Sequence, residues 1–214
     1  MRLVLPRLYV ILDAGMLAAP SGETAQKLMD AGVKLLQYRA KNAVARELWN
    51  ESRAIAEAAR HAQCTFLVND RPDVAYLAGA DGVHVGQDDL DVEQARKVIG
   101  PDRWVGVSTH NLEQFEKAAA SSADYIAMGP IFQTTSKANP DPVVGTELLH
   151  RVRALTEKPI VAIGGITLER AADVLAAGAD SVAVISDILK AKDPAGMARE
   201  FIRRLDAVKP AASY

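Results

Sequence analysis

The chain has 214 residues, 25 of them basic and 27 acidic, for a formal net charge of −2. That balance argues against a nucleic-acid polymer or an acidic membrane surface as partner, so an anionic ligand has to be held by local charge. The length suits one domain, 1–214; a single cysteine excludes an intrachain disulfide, and no apolar run approaches the roughly 20 residues of a membrane-spanning helix.

The first apolar stretches are broken by Arg2, Pro6 and Arg7 and lead to no small-residue cleavage site, so no signal peptide is read and a cytoplasmic protein is expected. The first strand, 8–12, runs into Asp13, which suits a cap or a turn. The second, 33–38, leads through Gln37, Tyr38 and Arg39 to Lys41. Strand side chains alternate, so Leu35, Gln37, Arg39 and Lys41 share one face and Leu36, Tyr38 and Ala40 the other. An amide and two cations therefore converge on one spot.

The third strand, 65–68, follows Cys64, which reads as a small buried residue rather than a nucleophile, and ends in Asn69, Asp70, Arg71, Pro72 and Asp73. A turn into a helix accounts for Pro72 and Asp73, whereas Asn69 and Asp70 together also suit a phosphate oxygen and a metal. The fourth strand, 82–85, contains His84, read as core-adjacent rather than as a base, and is followed by Gly86, Gln87, Asp88 and Asp89. Asp70 and Asp89 come from neighbouring strands, a pairing that fits Mg²⁺ held by two carboxylates and substrate phosphates. Four scattered histidines and one cysteine give no zinc spacing.

After the fifth strand, 104–107, Ser108 and Thr109 either cap the next helix or bind a ligand; no nucleophile elbow surrounds Ser108. The sixth, 125–128, opens the longest connection, 129–140, where Thr134, Thr135 and Ser136 followed by Lys137 read as an anion-binding flap. Gly164 and Gly165 follow the seventh strand, 160–163, while Ser186 and Asp187 follow the eighth, 181–185. Glycines after one strand and a helix start after the next match the phosphate site of a (β/α)₈ barrel.

Between the strands lie Ala-rich helical segments such as 47–61, 112–120 and 168–177, with Asp91, Asn111 and Thr167 as N-caps. Three helices end alike, in Gly79-Ala80-Asp81, Ser122-Ala123-Asp124 and Gly178-Ala179-Asp180. Eight alternating units with nearly continuous apolar strands predict a closed (β/α)₈ TIM barrel with its active site at the C-terminal ends of the strands. The tail, 208–214, is expected to fray.

Taken in order, Gln37 to Lys41, Val68-Asn69-Asp70, Gly82 to Asp89, Gly106 to His110, Gly129 to Lys137, Ile163 to Ile166 and Val184 to Ser186 resemble the thiamine phosphate synthase (thiamine-phosphate pyrophosphorylase) family over essentially the whole chain. The resemblance implies condensation of 4-amino-2-methyl-5-(diphosphooxymethyl)pyrimidine with a thiazole phosphate. The products would be thiamine phosphate and pyrophosphate, formed through a pyrimidine methyl cation. It implies that Arg39, Lys41, Asn69 and Lys137 hold the diphosphate, that Asp70 and Asp89 hold Mg²⁺, and that Gln37 and Ser108 face the pyrimidine. Thr134, Thr135, Ser136, Gly165, Ile185 and Ser186 would hold the thiazole phosphate, and Arg39, Lys41, Ser108 and Lys137 would act in catalysis. Gln133, Ser136 and Ala40 depart from the family's usual proline, threonine and glutamate. The alternatives are a thiazole tautomerase-like relative and a non-catalytic sensor of thiamine precursors; self-association into a homo-oligomer is left open.

Overall fold

A computed structural model describes residues 3–134 and 141–208. Thr135, Ser136, Lys137 and the tail beyond Val208 therefore lie outside the described residues. The strands are β1 (Leu8–Asp13), β2 (Leu35–Arg39), β3 (Thr65–Asn69), β4 (Gly82–Val85), β5 (Trp104–Thr109), β6 (Tyr125–Met128), β7 (Ile160–Ile163) and β8 (Ser181–Val184). The helices are α1 (Ser21–Asp30), α2 (Ala45–Ala62), α3 (Pro72–Ala78), α4 (Val92–Ile99), α5 (Leu112–Ala120), α6 (Gly145–Arg153), α7 (Leu168–Ala176), α8 (Ser186–Leu189) and α9 (Pro194–Asp206). Each strand pairs in parallel with the next, and β8 returns to β1 through Leu8↔Val182, closing a (β/α)₈ barrel.

Apolar residues at both parities of the strands give two cores. Leu36, Tyr38, Phe66, Val68 and Val83 point outward, against the helices, in the larger cluster. Leu35, Leu67, Tyr9, Tyr125, Val161 and Ala183 fill the barrel interior. Gly106 makes room there: a Cβ at this position would overlap the Tyr125 ring.

The recurring Ala-Asp ending has a structural cause. Asp81, Asp124 and Asp180 each accept a hydrogen bond from a backbone N–H at or near the start of the strand before their own: Phe66 at 2.8 Å, Val105 at 2.7 Å and Ile160 at 2.8 Å. Arg96 also binds Asp124, and Arg153 binds Asp180. The motif thus ties β3 to β4, β5 to β6 and β7 to β8 at the end remote from the strand termini that carry the site, where a TIM barrel invests in stability. Arg7 donates to the carbonyls of Leu205 and Val208, securing α9 beneath β1.

Two boundary expectations are corrected. Val33 belongs to the α1 ending rather than to β2, because Gly32 at φ 99° lets the Val33 N–H return to Leu28 O at 3.1 Å. Thr167 occupies the N-cap position of α7 but makes no side-chain cap; Asp187, from beyond β8, accepts from Leu168 N at 2.9 Å instead. Asp91 and Asn111 do cap, each accepting from the backbone N–H three residues on.

Candidate active site

Two residues beyond each interior apolar residue lies the next position on the same face, and at the C-terminal ends of the strands that position becomes polar. Ile11 is followed by Asp13, Leu35 by Gln37 and Arg39, Leu67 by Asn69, Gly82 by His84, and Gly106 by Ser108. Alternation thus carries the apolar interior up into a polar rim. The rim surrounds a cleft that opens to solvent, with about 860 Å³ of empty space when that solvent is counted.

Gln37, Arg39, Asn69 and Ser108 line it from β2, β3 and β5. Thr134, Gly165, Ile185 and Ser186 line it from the connection after β6 and from the ends of β7 and β8. Lys41, Asp70 and Asp89 do not line the cleft; they sit beside it. Lys41, with its side chain half exposed, bonds Asp70. Asp70 also lies within hydrogen-bonding range of Asp89, whose Oδ2 accepts from Gly86 N at 2.7 Å. Burial first, and then the Asp89 carboxylate, hold the Asp70 carboxyl above its usual range, with Lys41 opposing the shift. The backbone of Asp70 is left-handed, φ 65°, which turns it away from the strand direction.

Arg39 carries a partner that the sequence reading did not assign: the buried carboxylate of Asp13, which also caps the following 3₁₀ turn through Gly15 N at 3.0 Å. Adjacency of β1 and β2 with Asp13↔Arg39 in register sets this pair. The signal was present in sequence only as an acid ending one strand and a cation ending the next.

Below the rim, Gln37, Tyr9, Tyr125, His84 and Ser108 form a continuous chain of hydrogen bonds of 2.6, 3.1, 2.8 and 2.9 Å. His84 is buried with both ring nitrogens bonded, in keeping with its reading as core-adjacent. Tyr125 stacks on it at 5.5 Å between ring centroids.

The connection after β6 rests on the glycines after β7. Gly164 and Gly165 have φ 101° and 63°, and a Cβ on either would overlap this connection, at Pro130 and at the Gln133 carbonyl oxygen respectively. His110 holds both described ends of the connection: Nδ1–H donates to Gly129 O at 2.6 Å, and Nε2 lies 3.5 Å from Asp141. That clasp, too, was missed, since Asp141 gave no signal beyond its place after the flap.

A family model described as thiamine monophosphate synthase matches residues 8–188. The chain is 53% identical over 208 residues to the thiamine-phosphate synthase of Koribacter versatilis, covering 95% of this chain and 97% of that one. It is 43% identical over 198 residues to that of Chloroflexus aurantiacus, covering 91% and 90%. Among solved structures it is similar to thiamine phosphate pyrophosphorylase from Pyrococcus furiosus, with a TM-score of 0.87, 33% identity, and 95% and 96% of the two chains covered.

Proposed function

The chain belongs to the thiamine monophosphate synthase family, and on that premise we propose that it joins the aminopyrimidine diphosphate to the thiazole phosphate, releasing pyrophosphate, with Mg²⁺ as cofactor. The observation that carries this reading is the crowded Asp70 and Asp89 pair beside Asn69. Two carboxylates pressed together, one of them partly buried, with the half-exposed Lys41 paired to Asp70, form a set of hard oxygen donors that fits a divalent ion sharing substrate phosphates. When bound, Mg²⁺ would supply charge that neutralises the departing diphosphate.

The chain's own residues do the rest. Arg39, oriented by Asp13, offers its guanidinium to the diphosphate from the cleft wall, and Asn69 offers its amide beside it. Lys41 and Lys137 complete the cationic set, the latter outside the described residues. Because the leaving group's charge grows as its bond to carbon breaks, preorganised cations stabilise the transition state more than the ground state. Gln37 and Ser108 face the pyrimidine. Gly165, Ser186, Ile185 and Thr134 surround the thiazole phosphate, with Thr135 and Ser136 joining from outside the described residues. The thiazole nitrogen is itself the nucleophile, so no general base is required.

A tautomerase-like relative would need only the thiazole phosphate half; Arg39, Asp70 and Asp89 argue for the full condensation. Among the described residues no helix is long and apolar enough to cross a membrane, and a buried, unpaired Cys64 supports a cytoplasmic setting. The direct test mixes purified protein with both substrates and Mg²⁺. Thiamine phosphate and pyrophosphate should appear in equal amounts. Binding of both substrates without either product would favour the sensor instead.

A further inference from the structure

The hydrogen-bonded chain inside the barrel has a direction. Gln37 Nε2 carries only hydrogens, so it donates to Tyr9 Oη at 2.6 Å. Tyr9 and Tyr125 are both buried, and burial pushes both phenols well above their ordinary range, so each keeps its hydrogen. If Tyr9 donates to Tyr125, then Tyr125 donates to His84 Nδ1, and the His84 proton sits on Nε2 and is given to Ser108 Oγ. Run in reverse, Tyr9 would accept from both Gln37 and Tyr125, and its own hydrogen would find no acceptor in the chain. A buried polar hydrogen without a partner is penalised, so the first direction holds.

We propose that Tyr9, Tyr125 and His84 are positioning residues that polarise the cleft, forcing Gln37 to present its carbonyl oxygen as acceptor and Ser108 to present its hydroxyl as donor. An aminopyrimidine edge is the complement: an exocyclic N–H to give beside a ring nitrogen that accepts. A 4-oxo analogue reverses that pair and is disfavoured, because accepting it would flip the Gln37 amide, turn both buried tyrosine hydroxyls and move the His84 proton to Nδ1. This deepens the synthase reading and rests on it for the identity of the ligand.

The relay itself can be tested without turnover. In ¹⁵N-labelled protein, nitrogen–proton correlations of the His84 ring, assigned by their loss in His84→Gln, should show the proton on Nε2; a proton on Nδ1 overturns the proposal. Tyr125→Phe keeps the ring and removes the hydroxyl that joins Tyr9 to His84, and with it two of the four bonds. It should raise KM for the aminopyrimidine diphosphate about tenfold and cut the preference for the 4-amino over the 4-oxo substrate by about as much, since what the ligand loses is the fixed orientation behind about one hydrogen bond of its own. KM for thiazole phosphate should stay within about twofold, whereas a merely structural role would move both together. Unchanged discrimination in Tyr125→Phe contradicts the proposal. A wild-type protein that makes no thiamine phosphate contradicts the enzymatic reading alone, and the His84 tautomer still decides the relay.

Discussion

Asp13 is buried at the end of β1 with its carboxylate on the Arg39 guanidinium, so the charge proposed to meet the diphosphate is held in place by the protein itself. Asp13→Asn keeps an oxygen for Gly15 N but loses the ion pair; kcat should fall roughly 10- to 100-fold through misplacement of Arg39, and steady-state kinetics showing an unchanged kcat would contradict this role. Asp70 combines two demands, a charge and a left-handed backbone. Asn tolerates that conformation, so Asp70→Asn should fold normally and lose Mg²⁺-dependent turnover. Asp70→Ala should in addition lower Tm by a few degrees, since left-handed strain costs on the order of 1 kcal/mol and a chain of this size shifts by about 2–4 °C per kcal/mol. Cys64 is buried, and burial pushes its thiol up to about 12 from 9.0. A group raised in the folded state contributes stability that is intact below its unfolded value and is lost as pH rises through the folded one. Wild-type Tm should therefore decline more steeply between pH 9 and 11 than that of Cys64→Ala, and parallel melting curves would show that the thiol does not ionise on unfolding.

Among the elements, the Ala-Asp endings divide labour with the strand tips. Asp124 binds Val105 N and Arg96 at the barrel end away from the cleft, so Asp124→Ala should lower Tm by roughly 4–8 °C, for about 2 kcal/mol of charge-assisted bonding, while leaving KM for both substrates unaltered. A shift in KM without one in Tm would place Asp124 in the wrong part of the account. The connection after β6 is anchored differently, by His110 at its two described ends and by close approach to Gly164 and Gly165. Those glycines were read from sequence as a phosphate site; their contact with Pro130 and Gln133 adds that they also seat the neighbouring loop.

Over the whole molecule, the barrel was legible because its strands are apolar on both faces and alternate with helical segments, several of them Ala-rich, with the side-chain caps of Asp91 and Asn111 opening two of them; the eight expected strands fall within two residues of those observed. Rim residues were legible where polarity interrupts an apolar run, as at Gln37, Asn69 and Ser108. Contacts between elements were not. The Asp13 and Arg39 pair, the relay through Tyr9 and Tyr125, and the His110 clasp depend on register and closure, which local pattern does not encode. Tyr9 and Tyr125 read as apolar strand residues because their hydroxyls meet only after the barrel shuts. With a net charge of −2, the protein has no long-range field to draw in a diphosphate, so the account stands on charges gathered at one rim. Single-turnover release of pyrophosphate by Arg39→Gln, with both substrates saturating, tests it most directly. The account predicts a rate roughly 10² to 10³ below wild type with the fold intact; release at the wild-type rate would contradict it.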